Sequence, residues 1–237
     1  MAKVFLHDKK YDLAALHLKP LADTSPEAAR LYGDLLVNGP HCVTADAKKG
    51  EAYLRKAADA GDTTAKLLLA GYYFNGTRLA QNDEQAFHLY SQTAETGDAV
   101  AAVNLAIMYL NGRGTSRDFH LYLKWAVRGA EAGRPAALGM IASSYMYGNV
   151  LPKDPKEAYF WICTAVDRLS VAPSDVRENI WKKRNTIAAQ LSVDDAQAIA
   201  RAAKAWSPGA RSLDKVLKAE RSVPAGDPLP AGDPSDN

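Results

Sequence analysis

The sequence predicts an all-α protein whose middle is a stacked array of helical repeats. Gly61, Gly97 and Gly133 recur at intervals of 36 residues. Each of them is followed by alanine after four and nine residues, by tyrosine after twelve and by glycine after fifteen. A fixed period of about 20 to 50 residues is typical of arrays in which each repeat is one supersecondary unit.

Each repeat is predicted to begin with a helix. The reason is that a helix-capping residue directly follows the first position of the repeat, which is occupied by Gly61, Gly97 or Gly133 in the regular copies. This residue is Ser25, Asp62 or Asp98 in the first three repeats, and such side chains accept hydrogen bonds from the free N–H groups of a helix start. Arg134 occupies the same place in the fourth repeat, so that helix must be capped in another way. The first repeat is degenerate and is recognised by register, since Ala28–Gly39 aligns with its counterpart in the second repeat.

A second helix is predicted in every repeat. Its start is marked in register by a residue type that caps helices well, namely Asp46, Asn82, Asp118 and Asp154. In both helices the apolar residues cluster on one face at helical spacing, with small alanines where two helices can approach closely. Each repeat is therefore predicted to be a helix, a glycine-containing loop, a second helix and a glycine turn.

The segments that flank the array lack its pattern. Residues 24–168 hold the four repeats, and residues 1–23 are predicted to form an N-terminal capping helix. Residues 169–206 are predicted to form C-terminal capping helices, because the end of an array must cover its open apolar face. Residues 207–237 are rich in proline and glycine and are predicted to be a flexible tail. The N-terminal helix carries Leu13, Leu16 and Leu21, which are expected to pack, and Tyr11 and Leu18 are further candidates for packing.

The composition excludes some classes of partner. The chain is 47% apolar and 24% charged with a formal net charge of +2, which gives no electrostatic argument for nucleic acid or an anionic membrane. Its longest apolar runs are too short for membrane insertion. No leader is recognised in Met1–His7, which leaves the compartment open: periplasmic if a leader has been removed, and otherwise cytoplasmic.

No pattern of residues predicts catalysis, a metal or a cofactor. The five histidines lack the spacing of a helical metal site, and no nucleophile is paired with a base. Gly112–Thr115 lacks the frame of a phosphate-binding loop and is interpreted as a helix–helix turn. Lys182–Arg184 is interpreted as a solvated helix face. Cys42 and Cys163 are predicted to be free thiols.

The repeat pattern A-x-x-G-D-x-x-A-x-x-x-L-A/G-x-x-Y-x-x-G, followed by D-x-x-x-A and A-A-x-x-G, resembles the Sel1-like repeat, a relative of the tetratricopeptide repeat. Its clearest copies begin at Ala58 and Ala94. The resemblance implies an αα-hairpin solenoid that coils into a right-handed superhelix with helical caps. It also implies that the first helices line a concave groove, which holds another protein without catalytic residues.

One stripe of the first helices lies opposite their core face and would line this groove. We call it the first-helix stripe, and its predicted partner-binding residues are Arg30, Asp34, Asn38, Leu67, Gly71, Phe74, Asn75, Val103, Ile107, Leu110, Asn111, Met146 and Tyr147. Two arrangements are open for its apolar members. They face a partner, or they are buried between neighbouring first helices.

The leading hypothesis is a non-catalytic scaffold or adaptor that binds a partner protein or peptide in the groove. One alternative is a bacterial immunity protein that neutralises a secreted effector enzyme, for example of a type VI secretion system. Another is an assembly subunit that oligomerises through convex faces or array ends, although a monomer is favoured. In a third, Leu213–Leu217 occupies the groove of its own chain.

Overall fold

The computed structural model describes residues 2–39, 43–171, 174–207 and 214–220. Within these ranges the chain forms thirteen α-helices, two short 3₁₀ turns and no β-strand. The predicted all-α class is therefore confirmed. Cys42 and most of the predicted tail lie outside the described residues.

The helices alternate with short connections along the chain. They are, in chain order, α1 (Ala2–His7), α2 (Tyr11–Leu18), α3 (Pro26–Asn38), α4 (Ala47–Asp59), α5 (Thr63–Asn75), α6 (Asp83–Glu95), α7 (Ala99–Asn111), α8 (Phe119–Glu131), α9 (Pro135–Tyr147), α10 (Pro155–Val166), α11 (Ser174–Ala188), α12 (Val193–Lys204) and α13 (Asp214–Glu220). The 3₁₀ turns are Lys19–Leu21 and Leu169–Val171. The four repeats are the pairs α3–α4, α5–α6, α7–α8 and α9–α10, so each repeat is an αα-hairpin.

The predicted capping residues begin these helices. Asp62 accepts from the Ala65 backbone N–H at 2.9 Å, and Asp118 accepts from that of Leu121 at 2.8 Å. The corresponding residues of the other repeats do the same, except in α9. There Arg134 makes no capping bond and Pro135 is the first helical residue, where its missing N–H leaves nothing to satisfy.

The chain divides into two compact units. The first comprises residues 1–101 and 111–116, and the second comprises residues 102–110 and 117–237. In the first unit α3 packs on α4, α4 on α5 and α5 on α6, whereas in the second α8 packs on α9 and α9 on α10. Successive helices therefore share a continuous core within each unit, as repeats that cannot bury their apolar faces alone must do.

The N-terminal segment is a hairpin, in place of the single helix predicted there. Lys9 has a left-handed backbone with φ +58, which ends α1 and turns the chain so that α1 packs on α2. The ring of Phe5 then stacks on His17 with centroids 5.3 Å apart. Ala14 and Leu18 are the buried residues of α2. The three leucines expected to pack are instead exposed, at 37% for Leu13, 68% for Leu16 and 53% for Leu21.

The helices after the fourth repeat pack against it. α11 contacts α9 and α10, and α12 contacts α10. Trp206 follows α12 and meets Trp161 of α10 edge to face, with ring centroids 5.9 Å apart. The guanidinium of Arg168 lies 4.7 Å from the centroid of the Trp206 ring and donates to the Trp206 carbonyl at 3.2 Å. These contacts fix the chain just before its last described helix.

The last described helix, α13, packs on α8. Its Val216 is buried with 1% of its surface exposed, and Leu217 and Ala219 are half-buried. This contact is with the second helix of a repeat, whereas the third alternative expects the segment on the first helices. Leu213 lies outside the described residues.

Candidate partner-binding surface

In the first unit, the polar residues of the first-helix stripe tie α3 to α5. Arg30 Nε donates to Asp62 Oδ2 at 3.0 Å, and the side chains of both residues are mostly buried. The Tyr72 hydroxyl donates to Asp34 Oδ1 at 2.6 Å and accepts from Asn38 Nδ2 at 2.7 Å. We call these five residues the polar junction. Its hydrogen bonds occupy the groups of Arg30, Asp34 and Asn38 within the protein.

The polar junction changes the chemistry of Tyr72. Burial, followed by the hydrogen bond to Asp34, raises the pKa of the Tyr72 hydroxyl, because both disfavour the phenolate. The hydroxyl is therefore a neutral donor, which is what the carboxylate of Asp34 requires. The hydrogen bonding of Tyr72 to Asp34 and Asn38 was not predicted from the sequence. A signal for it was present, since a pair of adjacent tyrosines, Tyr72 and Tyr73, occurs in the second repeat and in no other repeat.

A second polar set joins α4 to α5. The Tyr73 hydroxyl donates to Glu51 Oε1 at 2.5 Å and accepts from Arg55 Nη2 at 2.7 Å. Arg55 Nε also donates to Glu51 Oε1 at 3.0 Å. Burial and the bond to Glu51 raise the pKa of Tyr73 to about 12. The tyrosine that the repeat pattern predicts as a packing residue thus also carries a polar contact between repeats.

The aromatic member of the stripe in this unit, Phe74, is covered by the protein. The guanidinium of Arg113 lies 3.8 Å from the centroid of the Phe74 ring, within the range of a cation–π contact. Tyr90 meets the same ring edge to face at 6.3 Å. Phe74 is accordingly half-buried, so its ring serves the contact between repeats.

Arg113 is held over Phe74 by three charged hydrogen bonds. Its Nε donates to Asp83 Oδ2 at 3.1 Å, and its Nη2 donates to Asp83 Oδ1 at 2.6 Å and to the Phe74 carbonyl at 2.6 Å. The hydrogen bond from Arg113 lowers the pKa of the Asp83 carboxyl. Arg113 belongs to Gly112–Thr115, the turn that follows α7. Through the Arg113 side chain this turn also binds the end of α5, at Phe74, and the start of α6, at Asp83.

The rest of the stripe in the first unit is less enclosed. Leu67 is half-buried, and Asn75 and Asn111 are exposed. Gly71 is half-buried beside α6, since a Cβ added there would lie 3.7 Å from the Tyr90 hydroxyl. Asn75 and Asn111 are thus the members of the stripe that the first unit presents to solvent.

In the second unit, the stripe ends in an exposed aromatic side chain. Val103 is buried with 8% of its surface exposed, so it belongs to the core. Ile107, Leu110 and Met146 are half-buried. Tyr147, the last residue of α9, is 55% exposed. The apolar part of this stripe is therefore neither fully open nor fully buried.

α11 packs on α9 at positions that precede the stripe residues Met146 and Tyr147. A Cβ added at Gly139 would lie 3.7 Å from Ile180, and Lys183 Nζ donates to Ser143 Oγ at 3.2 Å. Ile180 itself is buried with 3% of its surface exposed. A helix expected to cap the end of the array thus also packs on α9 at Gly139 and Ser143, two turns and one turn before Met146 and Tyr147.

The described residues contain no group of three or more histidine, cysteine, aspartate or glutamate side chains that could hold a metal ion. A cleft of about 430 Å³ lies between α2, α3 and the start of α4, with Leu16, Tyr32 and Leu36 among its walls. Two acidic residues line it, Asp12 and Asp46, and Asp46 caps α4 by accepting from the Lys49 backbone N–H at 3.0 Å. This cleft is therefore an apolar recess with a charged rim.

Among the helices that the structure describes, none combines the length and the apolar character needed to cross a membrane.

Comparison with known proteins identifies the repeat. A family model described as Sel1 repeat matches residues 26–62, 64–98, 99–133 and 135–168. These four segments coincide with the four helix pairs of the structure. No curated protein matches the chain.

Solved structures similar to this chain include two Sel1-like repeat proteins. A Sel1 repeat protein from Oxalobacter formigenes is 22% identical, with a TM-score of 0.63 over 82% of this chain and 79% of that chain. A protective antigen present in uropathogenic Escherichia coli strains, described as displaying an SLR fold, is 21% identical with a TM-score of 0.49. That match covers 93% of this chain and 53% of the antigen. The first of these similarities shows the fold.

Proposed function

Because the chain belongs to the Sel1 repeat family, we propose that it is a non-catalytic scaffold that binds a partner protein or peptide on its first-helix stripe. Sel1 repeats mediate contacts between proteins, and proteins of this family are typically non-catalytic. The observation that carries the proposal for this chain is that Tyr147 is exposed and that Ile107, Leu110 and Met146 of the same stripe are only half-buried.

The chemistry of this surface suits a protein partner. Tyrosine and methionine are enriched in protein interfaces, where an aromatic ring supplies a large contact area and a hydroxyl can still bond at the edge. Leu110 and Met146 occupy the same repeat position in α7 and α9, and Tyr147 follows Met146 directly. Ile107 lies one helical turn before Leu110. We therefore place the anchor of the interface at these four residues.

In the first unit, the polar junction and the contacts of Arg113 reduce the number of stripe residues that are left to bind a partner. Arg30, Asp34, Asn38 and Phe74 make contacts within the protein, so we assign them to the stability of the array. Asn75 and Asn111 remain as the polar residues of the stripe that this unit offers to a partner, since an amide can bond a partner's backbone.

Replacing Tyr147 with alanine should weaken partner binding at least about 30-fold, the usual loss for a central aromatic anchor. The partner is first captured from cells of the source organism and identified by quantitative mass spectrometry. Its affinity for purified wild-type and Tyr147→Ala protein is then measured by calorimetry.

Trp181→Ala provides the matched control for this substitution. Trp181 is a 45% exposed aromatic residue of the same unit that lies outside the stripe, on α11. It should leave the affinity within about twofold of wild type, as a residue outside the interface does. If wild type and Tyr147→Ala bound the partner with equal affinity, the proposal that the partner binds on the first-helix stripe would be wrong.

A second candidate function, assembly through the N-terminal end, is favoured by one observation. Val4, Leu16 and Leu21 are each more than half exposed on the N-terminal hairpin and the turn after it. Where exposed aliphatic residues form one contiguous patch, that patch is typical of contacts between proteins. Light scattering as a function of protein concentration tests this candidate directly.

A further inference from the structure

The exposed side of α2 carries opposite charges at its two ends. Asp12 and Lys19 lie seven residues apart, with Ala15 and Leu16 between them. Spacings of three, four and seven residues place side chains on one face of a helix, and the helical backbone continues through Lys19, which caps α2. The two charges are therefore separated by about 10 Å along the helix axis, at about 1.5 Å per residue. We call these four residues the α2 face.

The charges of the α2 face are left unpaired by the described part of the chain. The side chains of Asp12 and Lys19 are exposed, and neither makes an ion pair or a hydrogen bond with another described residue. Lys3 of the same hairpin, by contrast, pairs with Glu27 at 2.7 Å. The fold thus pairs some charges of the hairpin internally and leaves these two available to another molecule.

Next to these charges the surface offers both an exposed apolar side chain and an apolar recess. Leu16 is 68% exposed, more than the other large apolar residues described in the N-terminal hairpin. It lines the cleft of about 430 Å³ whose other walls include the buried Tyr32 and Leu36 of α3. A rim of balanced charge favours a second copy of the same surface over a uniformly acidic or basic partner. The charged residues that line this cleft are two acids and two bases, namely Asp12, Asp46, Lys19 and Lys49.

The order of residues on the α2 face is the one that a two-fold axis requires. An interface of this kind is made by the same patch on both copies, so the patch must be complementary to itself. Asp12 lies three residues before Ala15, and Lys19 lies three residues after Leu16. When two α2 helices pack antiparallel, Asp12 of each copy therefore faces Lys19 of the other. The small Ala15 of each copy then faces Leu16 of the other, which lets the two helices approach closely.

We propose that the chain forms a two-fold dimer in which the two α2 faces pack antiparallel and Leu16 of each copy enters the cleft of the other. The proposal rests on the second candidate function, assembly through the N-terminal end, and gives that assembly its contacts. Because a two-fold interface is occupied by one further copy, the assembly should stop at two chains.

Reversing one charge of the α2 face tests the dimer. Asp12→Lys and Lys19→Asp each place like charges opposite one another at both contacts of the dimer. Each variant alone should therefore self-associate at least about ten times more weakly than wild type, measured by sedimentation equilibrium of the full chain. Mixed in equal amounts, the two variants carry opposite charges at both contacts, so they should pair with each other within about threefold of the wild-type affinity. The pairing of the mixture would also show that both variants are folded.

Arg78→Asp and Glu84→Lys are the matched controls. Both residues are exposed in the same unit and lie outside the walls of the cleft, and the substitutions change the net charge by the same amounts. Each control should self-associate within about twofold of wild type, as residues outside an interface do.

The outcomes separate this proposal from the assembly candidate on which it rests. A wild-type mass that stays at one chain at every concentration would overturn both. If wild type forms dimers but Asp12→Lys and Lys19→Asp form them equally well, assembly stands and the α2 face is not its contact. A mixture of the two variants that does not pair, or wild-type assemblies larger than two chains, would overturn the antiparallel two-fold arrangement.

Discussion

At the scale of single residues, Arg113 makes the most varied contacts between repeats in the first unit. It pairs with Asp83 through two nitrogens, donates to the Phe74 carbonyl and covers the Phe74 ring. A planar guanidinium can make all these contacts at once, which an ammonium group cannot. The side chain of Arg113 is only 27% exposed, so solvent screens these interactions incompletely.

Arg113→Ala should lower the free energy of unfolding by about 1.5 to 3 kcal/mol, the usual value of buried hydrogen bonds to a charged group. Arg113→Lys should recover only part of this loss, because lysine lacks the bidentate geometry. Arg117→Ala, at an exposed arginine four residues later, should change stability by less than about 0.5 kcal/mol. Urea unfolding followed by circular dichroism measures all three, and equal losses for Arg113→Ala and Arg117→Ala would refute this role.

The same pair predicts a dependence on pH. Arg113 lowers the folded-state pKa of Asp83, so the pair contributes stability above the unfolded pKa of the carboxyl. That contribution is lost as the pH falls through the lower, folded pKa. The stability gap between wild type and Arg113→Ala should therefore be full near neutral pH and shrink below about pH 4. If the stability difference between the two proteins stayed constant at low pH, the stability that Arg113 contributes would not come from its pairing with Asp83.

At the scale of elements, the glycine turns differ in how closely the chain passes its neighbours. Gly114 and Gly133 have nearly the same left-handed backbone, with φ +66 and φ +70. A Cβ at Gly114 would overlap the Asp83 carbonyl oxygen, whereas one at Gly133 would lie 3.7 Å from the Arg168 side chain. Gly114 is thus required both because its backbone is left-handed and because a Cβ would not fit. Gly133 is required only because its backbone is left-handed.

Gly133→Ala should cost about 1 to 2 kcal/mol, the strain of a left-handed backbone for a residue with a Cβ. Gly114→Ala should lower the free energy of unfolding by more than Gly133→Ala does. The added methyl group must also move the turn away from Asp83, which weakens the hydrogen bonds between Arg113 and Asp83. Thermal and urea unfolding of the two variants compare these costs. If both variants lost the same stability, close packing at Gly114 would be excluded as a cause.

The elements that sequence could predict are those set by local chemistry. Asp62, Asp118 and their equivalents were predictable as helix caps because a cap depends on residues within one turn. The N-terminal hairpin was not predictable, since the left-handed backbone of Lys9 is unusual for a residue with a side chain. The predicted packing of Leu16 is wrong, because Ala14 and Leu18 are the residues of α2 that pack in the core with Tyr32 and Leu36 of α3.

The candidate surface was less predictable than the fold. Repeat register identifies which residues share the first-helix stripe, but it cannot show which of them bond to a neighbouring helix. Asp34 and Asn38 meet Tyr72 across a gap of more than thirty residues, and only the packed helices bring them together. Ser143 likewise meets Lys183 of a helix that has no repeat pattern.

At the scale of the whole molecule, the choice between a scaffold and an assembly subunit depends on the exposed N-terminal hairpin. Under the assembly candidate, the molar mass measured by light scattering rises with protein concentration. Leu16→Glu should then abolish that rise, because it places a charge on the most exposed leucine of the hairpin. Val193→Glu, at a 72% exposed residue of α12, should leave the rise unchanged. A monomer mass at every concentration would reject assembly and leave the scaffold.

The polar junction also restricts how such an array can change during evolution. Repeat proteins gain and lose whole repeats by recombination, which is harmless only when any repeat can follow any other. Here Arg30 requires an acid at the position of Asp62, where the fourth repeat has Arg134. Asp34 and Asn38 require the hydroxyl of Tyr72, where the third repeat has Met108. The contacts of the first repeat are therefore matched to the second repeat, and neither the third nor the fourth repeat offers the full set of partners.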